Sequence, residues 1–389
     1  MTKLADLADF AAAEPDLVAI RRHLHANPEL SHQEEKTAAF VADKLETWGY
    51  EVTRNVGGHG VVARLRVGDG NRSIAIRADM DALPIIETTD LAYASGNPGV
   101  MHACGHDGHT TMLLGAAEYL ARTRNFSGTL NLIFQPAEES GSHSGALAMI
   151  EDGLFERFHC DAIYGLHNHP GAPAGTILTR PGPLMAAADT VNITVRGKGG
   201  HASRPHLCID PVVTASSIVM ALQTIVSRSV NSTDAAVVTV GTFHAGTATN
   251  VIPEKAELSL SIRTFSPEVR DMIRSRVEAI VQSQAACWGT VAEIDYVSGH
   301  PVLVNSAEET EFATSVAEEL VGKGQVQTCP LIPGSEDFSH YLQQKPGCLL
   351  RLGNGEDSVG LHNPRYDFND WSLTTGAAMW SRLTERFLR

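Results

Sequence analysis

The stretch "TRPGPLMAAADTVNITVR", residues 179–196, is the point at which the secondary-structure pattern of the chain changes. Periodicity after residue 188 predicts six elements in this order: strand 189–196, helix about 210–228, strand 236–243, strand 255–264, helix about 267–286 and strand 291–297. This βαββαβ order is that of the ferredoxin-like unit. A segment of about 110 residues is long enough for a hydrophobic core of its own. We therefore expect an inserted α+β domain at residues 184–297.

The rest of the chain alternates strands with helices. Strands are predicted over "EVTRN", "GVVARLRV", "SIAIRADM", "GTLNLIFQP" and "DAIYGLHNH". Helices are predicted around 17–24, at about 32–48, at about 110–121, over "ALAMIEDGLF" and at about 371–387. Such alternation is typical of a three-layer α/β/α domain with a largely parallel or mixed sheet. We expect this domain to be discontinuous and to consist of residues 1–183 and 298–389.

Composition excludes several classes of function. Apolar residues make up 43% of the chain and charged residues 19%, as in a globular protein. A net charge of −15 argues against nucleic acid and anionic membranes as partners. No apolar run reaches the roughly 18 residues of a membrane helix, and the N-terminal segment does not have the pattern of an export signal. The six cysteines lack C-x-x-C spacing, so we expect reduced thiols and a cytoplasmic enzyme.

The first candidate functional residues lie where strands end. "IRADMDALP" (76–84) ends a strand with Asp79 and Asp81, and their i, i+2 spacing places both side chains on one face. Two such carboxylates raise each other's pKa unless a cation lies nearby. "HACGHD" places Cys104 and His106 two residues apart, and a thiolate with an imidazole suits zinc or another borderline divalent ion. Taken alone, the aspartate pair is equally typical of a solvated acidic turn, and the Cys104–His106 pair is more typical of a buried structural cysteine beside a polar loop.

Further donors follow later strands. Glu138 and Glu139 in "FQPAEES" come directly after an apolar strand, and such a pair suits a division of labour between metal binding and proton transfer. His167 and His169 share a face at another strand end, and His362 lies in "LHNP". Each residue alone is more typical of a surface acid or a structural histidine. The joint pattern at strand ends, where ligand sites of α/β sheets lie, favours a metal site.

Several polar residues near these donors are not expected to bind metal. In "MHACGHDGHT" (101–110), Asp107 precedes a predicted helix and is a candidate N-cap. His102 and His109 are expected to pack or to form hydrogen bonds in the loop. "PGSEDF" (333–338) is expected to shape the substrate pocket.

Seven motifs occur in order along the chain: "RADMDALP", "HACGHDGH", "QPAEE", "LHNHP", "GKGGHAS", "TNVIP" and "LHNP". Through them the sequence resembles the bacterial hippurate hydrolase and N-acyl-amino-acid amidohydrolase group, which includes plant indole-acetyl-amino-acid hydrolases. This group belongs to the wider aminoacylase/carboxypeptidase metallopeptidase clan. The resemblance covers essentially the whole chain, including the inserted domain. The ordered set is highly specific, whereas a single motif is not.

The resemblance implies a centre of two divalent metal ions. Cys104 would bridge the ions as its thiolate. His106 and His167 would bind one ion, and Glu139 and His362 would bind the other. Other branches of the clan have a bridging aspartate where this chain has Cys104, so the chain resembles the cysteine-containing branch. Members of that branch are reported with manganese, zinc, cobalt or nickel.

The resemblance also implies catalytic roles. Glu138 would be the general base and acid, and Asp81 would accept the N–H of a ligand imidazole. His201, in "GKGGHAS", would reach from the inserted lid and dimerisation domain into the partner subunit's site and stabilise the oxyanion. Asn250 and Arg263 are candidates for binding the substrate carboxylate. For Arg263, a solvent-facing strand arginine is the alternative.

The predicted function is metal-dependent hydrolysis of N-acyl amino acids by a homodimer or homotetramer assembled through the inserted domain. Aminopeptidase or dipeptidase activity on the same site is one alternative. A thiol amidase with Cys104 as nucleophile is another, although it leaves Glu139, His167 and His362 without a purpose. A metal-binding or scaffold protein without activity is the third. It is disfavoured because all the predicted ligands and Glu138 are present.

Overall fold

The computed structural model of the protein describes residues 3–389. Its helices, numbered along this part of the chain, are α1 Glu14–Ala26, α2 Glu35–Thr47, α3 His106–Thr123, α4 Gly145–Glu151, α5 Leu154–Arg157, α6 Pro211–Arg228, α7 Pro267–Trp288, α8 Ala307–Val321, α9 Phe338–Leu342 and α10 Trp371–Phe387. Short 3₁₀ helices lie at Leu7–Phe10, Glu138–His143, Pro205–Leu207 and Lys323–Gln325. The strands are β1 Glu51–Val56, β2 Gly60–Val67, β3 Ser73–Asp79, β4 Gly128–Gln135, β5 Ala162–His169, β6 Ile177–Thr179, β7 Gly182–Met185, β8 Ala187–Arg196, β9 Gly200–His201, β10 Ala236–Ala245, β11 Val251–Ile252, β12 Lys255–Thr264, β13 Val291–Ser298, β14 Leu303–Asn305, β15 Val326–Thr328 and β16 Gly347–Gly353.

These elements form two compact units. The first contains the described residues up to Leu184 together with Val304–Pro330 and Asp337–Arg389. The second contains Met185–Leu303 and the short segment Leu331–Glu336.

The first unit is built on a mixed eight-stranded sheet with the order β1-β2-β4-β3-β5-β16-β6-β15. Strand β3 is parallel to β4 and β5, and β16 is parallel to β5. Strands β1 and β2 are antiparallel to their neighbours. The four parallel strands therefore end at one edge of the sheet, where ligand sites of α/β proteins lie. Asp79 ends β3, Gln135 ends β4 and His169 ends β5 at this edge.

Helices cover both faces of this sheet. In β5, the Tyr164 ring lies 6.4 Å from the ring of Phe312 in α8 and 6.3 Å from the ring of Phe387 in α10. A Cβ at the next residue, Gly165, would lie 3.2 Å from the Phe338 ring in α9. Successive strand residues point to opposite faces, so α9 packs on the face opposite to α8 and α10. This is the three-layer α/β/α arrangement that the sequence predicts.

The second unit contains an antiparallel sheet with the order β10-β12-β8-β13. With its two long helices, the chain order is β8-α6-β10-β12-α7-β13, which is the predicted βαββαβ order. Its hydrophobic core is formed mainly by Val191, Ile193, Ile218, Leu222, Leu258, Ile273 and Val277. The α/β fold class with a smaller α+β unit is therefore confirmed.

Two local expectations are wrong. Helix α3 begins at His106 rather than near residue 110, and its N-cap is Gly105. Asp107 consequently lies in the first turn of α3 and is not the N-cap. The helix expected over "ALAMIEDGLF" is divided into α4 and α5 because Gly153 adopts a left-handed φ of +79°, which interrupts a helix.

Helix α6 lies where the sequence predicts it, at about 210–228. Over Pro211–Arg228 its mean hydropathy is 1.2, so its length and composition meet the requirements of a membrane-spanning helix. A helix that packs on a sheet meets the same requirements. One face of α6, with Ile218, Leu222 and Ile225, is buried in the core of the second unit, whereas Met220 is 71% exposed. The burial pattern is that of an amphipathic helix with an additional apolar residue on its outer face.

Candidate metal centre

The start of α3 carries two of the predicted ligands. Cys104 and His106 flank Gly105, whose φ of +89° turns the chain into the helix. A Cβ at Gly105 would lie 2.7 Å from the hydroxyl oxygen of Tyr366 and 2.8 Å from Oδ1 of Asn168. Glycine is therefore required both by the backbone conformation and by the close approach of its neighbours. The side chains of Cys104 and His106 are buried.

The predicted ligands fall into groups that are close enough to hold a cation. In each group the ligand atoms lie within 4.8 Å of one another: Cys104, His106 and His167; Cys104, Glu139 and His362; His106, Glu138 and Glu139. The first two groups share the sulfur of Cys104. Sγ of Cys104 lies 3.5 Å from Nε2 of His167, and Nε2 of His362 lies 3.1 Å from Oε1 of Glu139. The fold thus brings all five predicted ligands together, with Glu138 beside them.

The orientation of His106 fits a bound cation. Its Nδ1 lies 3.2 Å from Oδ1 of Asp81, to which it donates. Its buried Nε2 forms no hydrogen bond within residues 3–389. This nitrogen lies 3.7 Å from Oδ2 of Asp79 and 4.0 Å from carboxylate oxygens of Glu138 and Glu139. An imidazole nitrogen that faces carboxylates without binding them is oriented as a metal ligand, so the donor set fits a divalent cation.

Carboxylates dominate the electrostatics of the cluster. Burial opposes protonation of His106, but Asp79 and Asp81 outweigh it and raise its pKa to about 10. Burial, and then the carboxylate of Glu139, raise the pKa of the Cys104 thiol well above its usual range. A thiol in such surroundings ionises only when a cation is close. This disfavours Cys104 as a metal-independent nucleophile.

Asp81 connects three segments of the first unit. Besides His106, its carboxylate accepts hydrogen bonds from the Ser31 hydroxyl at 2.7 Å and from the backbone N–H of Glu139 at 3.0 Å. Burial alone would raise the pKa of Asp81, but the contacts with His106 and Ser31 lower it. The ionised carboxylate therefore fixes both an imidazole and the backbone of the acidic pair.

Asp79 and His109, which the sequence left without roles, form a buried hydrogen-bonded chain. Asp79 accepts from Nη1 of Arg77 and from Nδ1 of His109, each at 2.6 Å. Nε2 of His109 in turn lies 2.7 Å from Oδ1 of Asn168 and 3.0 Å from its backbone nitrogen. The spacings Arg77-x-Asp79 on a strand and His106-x-x-His109 on a helix were the available sequence signals, because each pair shares a face.

Asp107 forms a second buried network. It accepts from Nδ1 of His25 at 2.8 Å and lies 3.6 Å from Nη1 of Arg21, which also contacts Asp367 at 2.8 Å. Burial lowers the affinity of His25 for a proton, but the bonds to Asp107 and Glu87 raise its pKa to about 9. Arg21 and His25 lie four residues apart on α1, which is the sequence signal for this network. It replaces the predicted capping role of Asp107.

The remaining predicted site residues, His201, Asn250 and Arg263, lie in the second unit. His201 is exposed in β9, which pairs with β11, and the carbonyl of Asn250 accepts from the N–H of Ala202 at 3.0 Å. Nδ1 of His201 accepts from the N–H of Ser203 at 3.1 Å, so the proton of the neutral ring lies on Nε2. Arg263 is half-buried in β12. The functional roles of these three residues stay predictions.

Comparison with known families identifies the class of protein. A model of Peptidase family M20/M25/M40 matches residues 75–386, so the chain belongs to this family. It is 43% identical over 372 residues to hippurate hydrolase of Campylobacter jejuni, covering 95% of this chain and 96% of that protein. It is 38% identical over 383 residues to N-acetyl-L-cysteine deacetylase of Bacillus subtilis, covering 98% of this chain and 90% of that protein.

A solved structure supports the same assignment. The YxeP protein of Bacillus subtilis, described as a dinuclear metal binding peptidase from the M20 family, superimposes with a TM-score of 0.85. The two chains are 34% identical, and the match covers 97% of this chain and 99% of that one. The predicted family, fold class and enzyme class are confirmed: the chain is an amidohydrolase of the M20 family with candidate metal-binding clusters. The identity of the metal stays a prediction.

Proposed function

We propose that the enzyme hydrolyses the amide bond of small-molecule N-acyl amino acids and releases a carboxylic acid and a free amino acid. The names of two relatives, hippurate hydrolase and N-acetyl-L-cysteine deacetylase, refer to substrates of this class. The observation that carries the proposal is the single Cys104 sulfur shared by two donor groups, beside the carboxylate of Glu138.

Five side chains would hold two divalent cations. Cys104 would contribute to both sites, with His106 and His167 at one and Glu139 and His362 at the other. When bound, such cations lower the pKa of a water molecule and polarise the amide oxygen. Manganese, zinc, cobalt and nickel are the candidates that the resemblance implies.

Glu138 is the proposed general base and acid. It is 7% exposed and lies beside Glu139, whose backbone N–H is held by Asp81. A carboxylate in this place takes a proton from the attacking water and delivers it to the leaving nitrogen, so one group serves both steps. Asp81 is the proposed orienting partner of the His106 imidazole.

The first prediction concerns Glu138→Ala. Because general acid–base catalysis contributes about 10²–10⁴-fold, we expect the variant to lose about that factor in kcat on hippurate. Its metal content should equal that of the wild type, because Glu138 is not among the five proposed ligands. Steady-state kinetics and elemental analysis measure the two quantities. Glu151→Ala, an exposed acid in α4, is the matched control. Unchanged turnover in Glu138→Ala would contradict the assigned role.

Substrate preference and metal removal distinguish the proposed function from two alternatives. An aminopeptidase or dipeptidase would prefer dipeptides with a free amino group over hippurate and N-acetyl amino acids. A thiol amidase using Cys104 would retain activity after exhaustive chelation. We expect the N-acyl substrates to be preferred and the chelated protein to be inactive until a divalent metal is restored. Activity measurements on these dipeptides and N-acyl amino acids, repeated with each candidate metal, identify the acyl and amino-acid preferences.

The second prediction concerns assembly. We propose that the chain forms at least a dimer through its second unit, with His201 acting in the partner's site and Asn250 and Arg263 binding the substrate carboxylate. Support comes from the exposure of His201 and of the apolar Met220 on α6. Mixing His201→Ala with Glu138→Ala should restore up to about a quarter of wild-type activity, because a mixed dimer has one intact site. If subunit exchange is demonstrated and the mixtures stay inactive, His201 does not act in the partner's site.

A further inference from the structure

The backbone at Ala137 adopts an unusual conformation. Its φ of +52° and ψ of 43° are left-handed, a region that residues other than glycine rarely occupy. Ala137 is fully buried between β4 and the 3₁₀ helix that begins at Glu138. The turn directs the acidic pair Glu138–Glu139 away from the line of the strand. Because the conformation is intrinsically unfavourable, surrounding contacts must hold it.

Two hydrogen bonds hold the backbone of Ala137. Its N–H donates to Oε1 of Glu34 at 2.8 Å, and its carbonyl accepts from the N–H of Gly145 at 3.0 Å. A Cβ at Gly145 would lie 1.7 Å from the carbonyl oxygen of Pro136, so this close approach requires glycine. One of the two bonds is thus made by a side chain that is 103 residues distant in sequence.

Glu34 is placed specifically for this contact. Its side chain is 0% exposed, and Oε1 also accepts from the N–H of His32 at 3.0 Å. Its second oxygen, Oε2, forms no hydrogen bond within the described part of the chain. The neighbouring His32 approaches the same region, with Nε2 3.0 Å from the hydroxyl oxygen of Ser140. Burial of a carboxylate costs free energy when one of its oxygens has no hydrogen bond. The two backbone N–H groups bound by the other oxygen offset part of this cost.

Two carboxylates therefore bracket Glu138. Glu34 binds the N–H of Ala137, the residue before it, and Asp81 binds the N–H of Glu139, the residue after it. Ser31, three residues before Glu34, donates to Asp81. The segment 31–34 thus supports the acidic pair from both sides.

We propose that Glu34 is a positioning residue for Glu138: by holding Ala137 in the left-handed conformation, it directs the carboxylate of Glu138 into the donor cluster. The inference rests on the proposed function, since it takes Glu138 as the general base. Glu34 itself acts through the backbone of Ala137 and does not transfer a proton in the reaction.

Three variants separate the hydrogen bond from the charge. Glu34→Gln keeps an oxygen acceptor for Ala137 and removes the charge. Glu34→Met has a similar length and removes the acceptor. Glu35→Met, at the next residue, is exposed and serves as the control. The double variant Glu34→Met/Ala137→Gly tests rescue, because glycine adopts the left-handed conformation without the cost that alanine meets.

Kinetics on hippurate provide the first measurement. Because misplacement of a reacting group by about 1 Å costs up to about 10²-fold, we expect Glu34→Met to lose about 10- to 100-fold in kcat. KM should change less than about twofold, and both metals should be retained. Glu34→Gln and Glu35→Met should stay within about threefold of the wild type. The double variant should recover part of the lost kcat, which a general loss of stability would not do.

Amide hydrogen exchange in the metal-free protein provides a second measurement that does not require turnover. We expect exchange in a peptide covering Ala137 and Glu138 to accelerate at least about tenfold in Glu34→Met and to be unchanged in Glu34→Gln. Wild-type kcat in Glu34→Met, or an equal loss of kcat in Glu34→Gln, would overturn the inference. If Glu34→Met does not fold, the inference is overturned when Glu34→Gln, which keeps the acceptor for Ala137, loses more than about threefold in kcat. If the wild type hydrolyses no N-acyl amino acid, the proposed function is refuted. The exchange measurement would still test whether Glu34 holds the backbone of Ala137.

Discussion

Cys104 illustrates how one buried atom changes the interpretation of a site. Its sulfur lies 3.5 Å from Nε2 of His167 and belongs to two donor groups. Burial and the nearby carboxylate of Glu139 hold its pKa high, so the thiolate needs a cation as a counter-charge. The sequence spacing of Cys104 and His106 left open a metal site, a thiol nucleophile and a buried structural cysteine. The three-dimensional arrangement of the carboxylates, which no spacing reveals, favours the metal.

A third prediction uses the titration of Glu34. Burial, and then the charge of Asp81, raise its pKa from 4.5 to about 7. Between these values the folded protein keeps a proton that the unfolded chain has released, so the contribution of Glu34 to stability falls as the pH rises. The penalty is complete about one pH unit above the folded value, near pH 8, and amounts to roughly 3 kcal/mol. Glu34→Gln does not titrate, so the wild type should lose stability relative to this variant between about pH 5 and 8.

Thermal unfolding of the metal-free proteins measures this difference. Glu35→Gln is the control, because its side chain is exposed next to Glu34 and should leave the pH dependence unchanged. A difference in Tm between the wild type and Glu34→Gln that is constant from pH 5 to 8 would show that Glu34 ionises normally in the folded state.

At the scale of elements, the start of α3 decides where the ligands lie. The sequence pattern predicted the apolar part of this helix but placed its beginning near residue 110. The first turn, with His106, Asp107 and His109, is polar and therefore does not show helical hydrophobic periodicity. These polar side chains form hydrogen bonds with residues from distant segments, such as His25 and Asp79. Such partners become visible only in the folded chain.

The fourth prediction concerns Gly105→Ala. The left-handed φ and the short approach to Tyr366 and Asn168 should destabilise the protein by about 1–3 kcal/mol and displace Cys104 and His106. We therefore expect a lower Tm and a weaker metal affinity, measured by calorimetry and by metal titration.

The matched control for this substitution is Gly289→Ala. Gly289 has a φ of +71° at the end of α7, but a Cβ there meets nothing within 4 Å. The control should lose about 1 kcal/mol of stability, because alanine is strained in the left-handed conformation, and should keep its metal affinity. Equal metal affinity in both variants would mean that the close approach at Gly105 does not position the ligands.

At the scale of the whole molecule, sequence periodicity predicted the three-layer α/β arrangement and the βαββαβ order because both follow from local patterns. It could not assign the network of Asp79, His109 and Arg77 or the link from Glu34 to Ala137, since these contacts join segments far apart in the chain. The position of several donors at strand ends favoured a metal site in general, whereas the set of five ligands was implied by the resemblance to the hippurate hydrolase group. Their buried supporting residues carry no comparable sequence signal.

The fifth prediction follows from the two separate cores. Leu114 belongs to the core of the first unit and Ile218 to that of the second, and both are fully buried. Truncation of either side chain to alanine should cost about 2–5 kcal/mol in its own unit. We expect calorimetry of the metal-free protein to resolve two transitions, with Leu114→Ala and Ile218→Ala each lowering a different one. A single transition that both substitutions lower equally would show that the units unfold together.

The shared sulfur of Cys104 has a consequence for biosynthesis. Its partners in the second donor group are Glu139 and His362, and His362 lies close to the final helix, Trp371–Phe387. On the ribosome, both donor groups must wait for C-terminal segments, because Gly105 packs against Tyr366 and β5 pairs with β16, while His362 itself completes the second group. With the proposed ligand set, we therefore expect metal loading to be completed only after translation has passed His362.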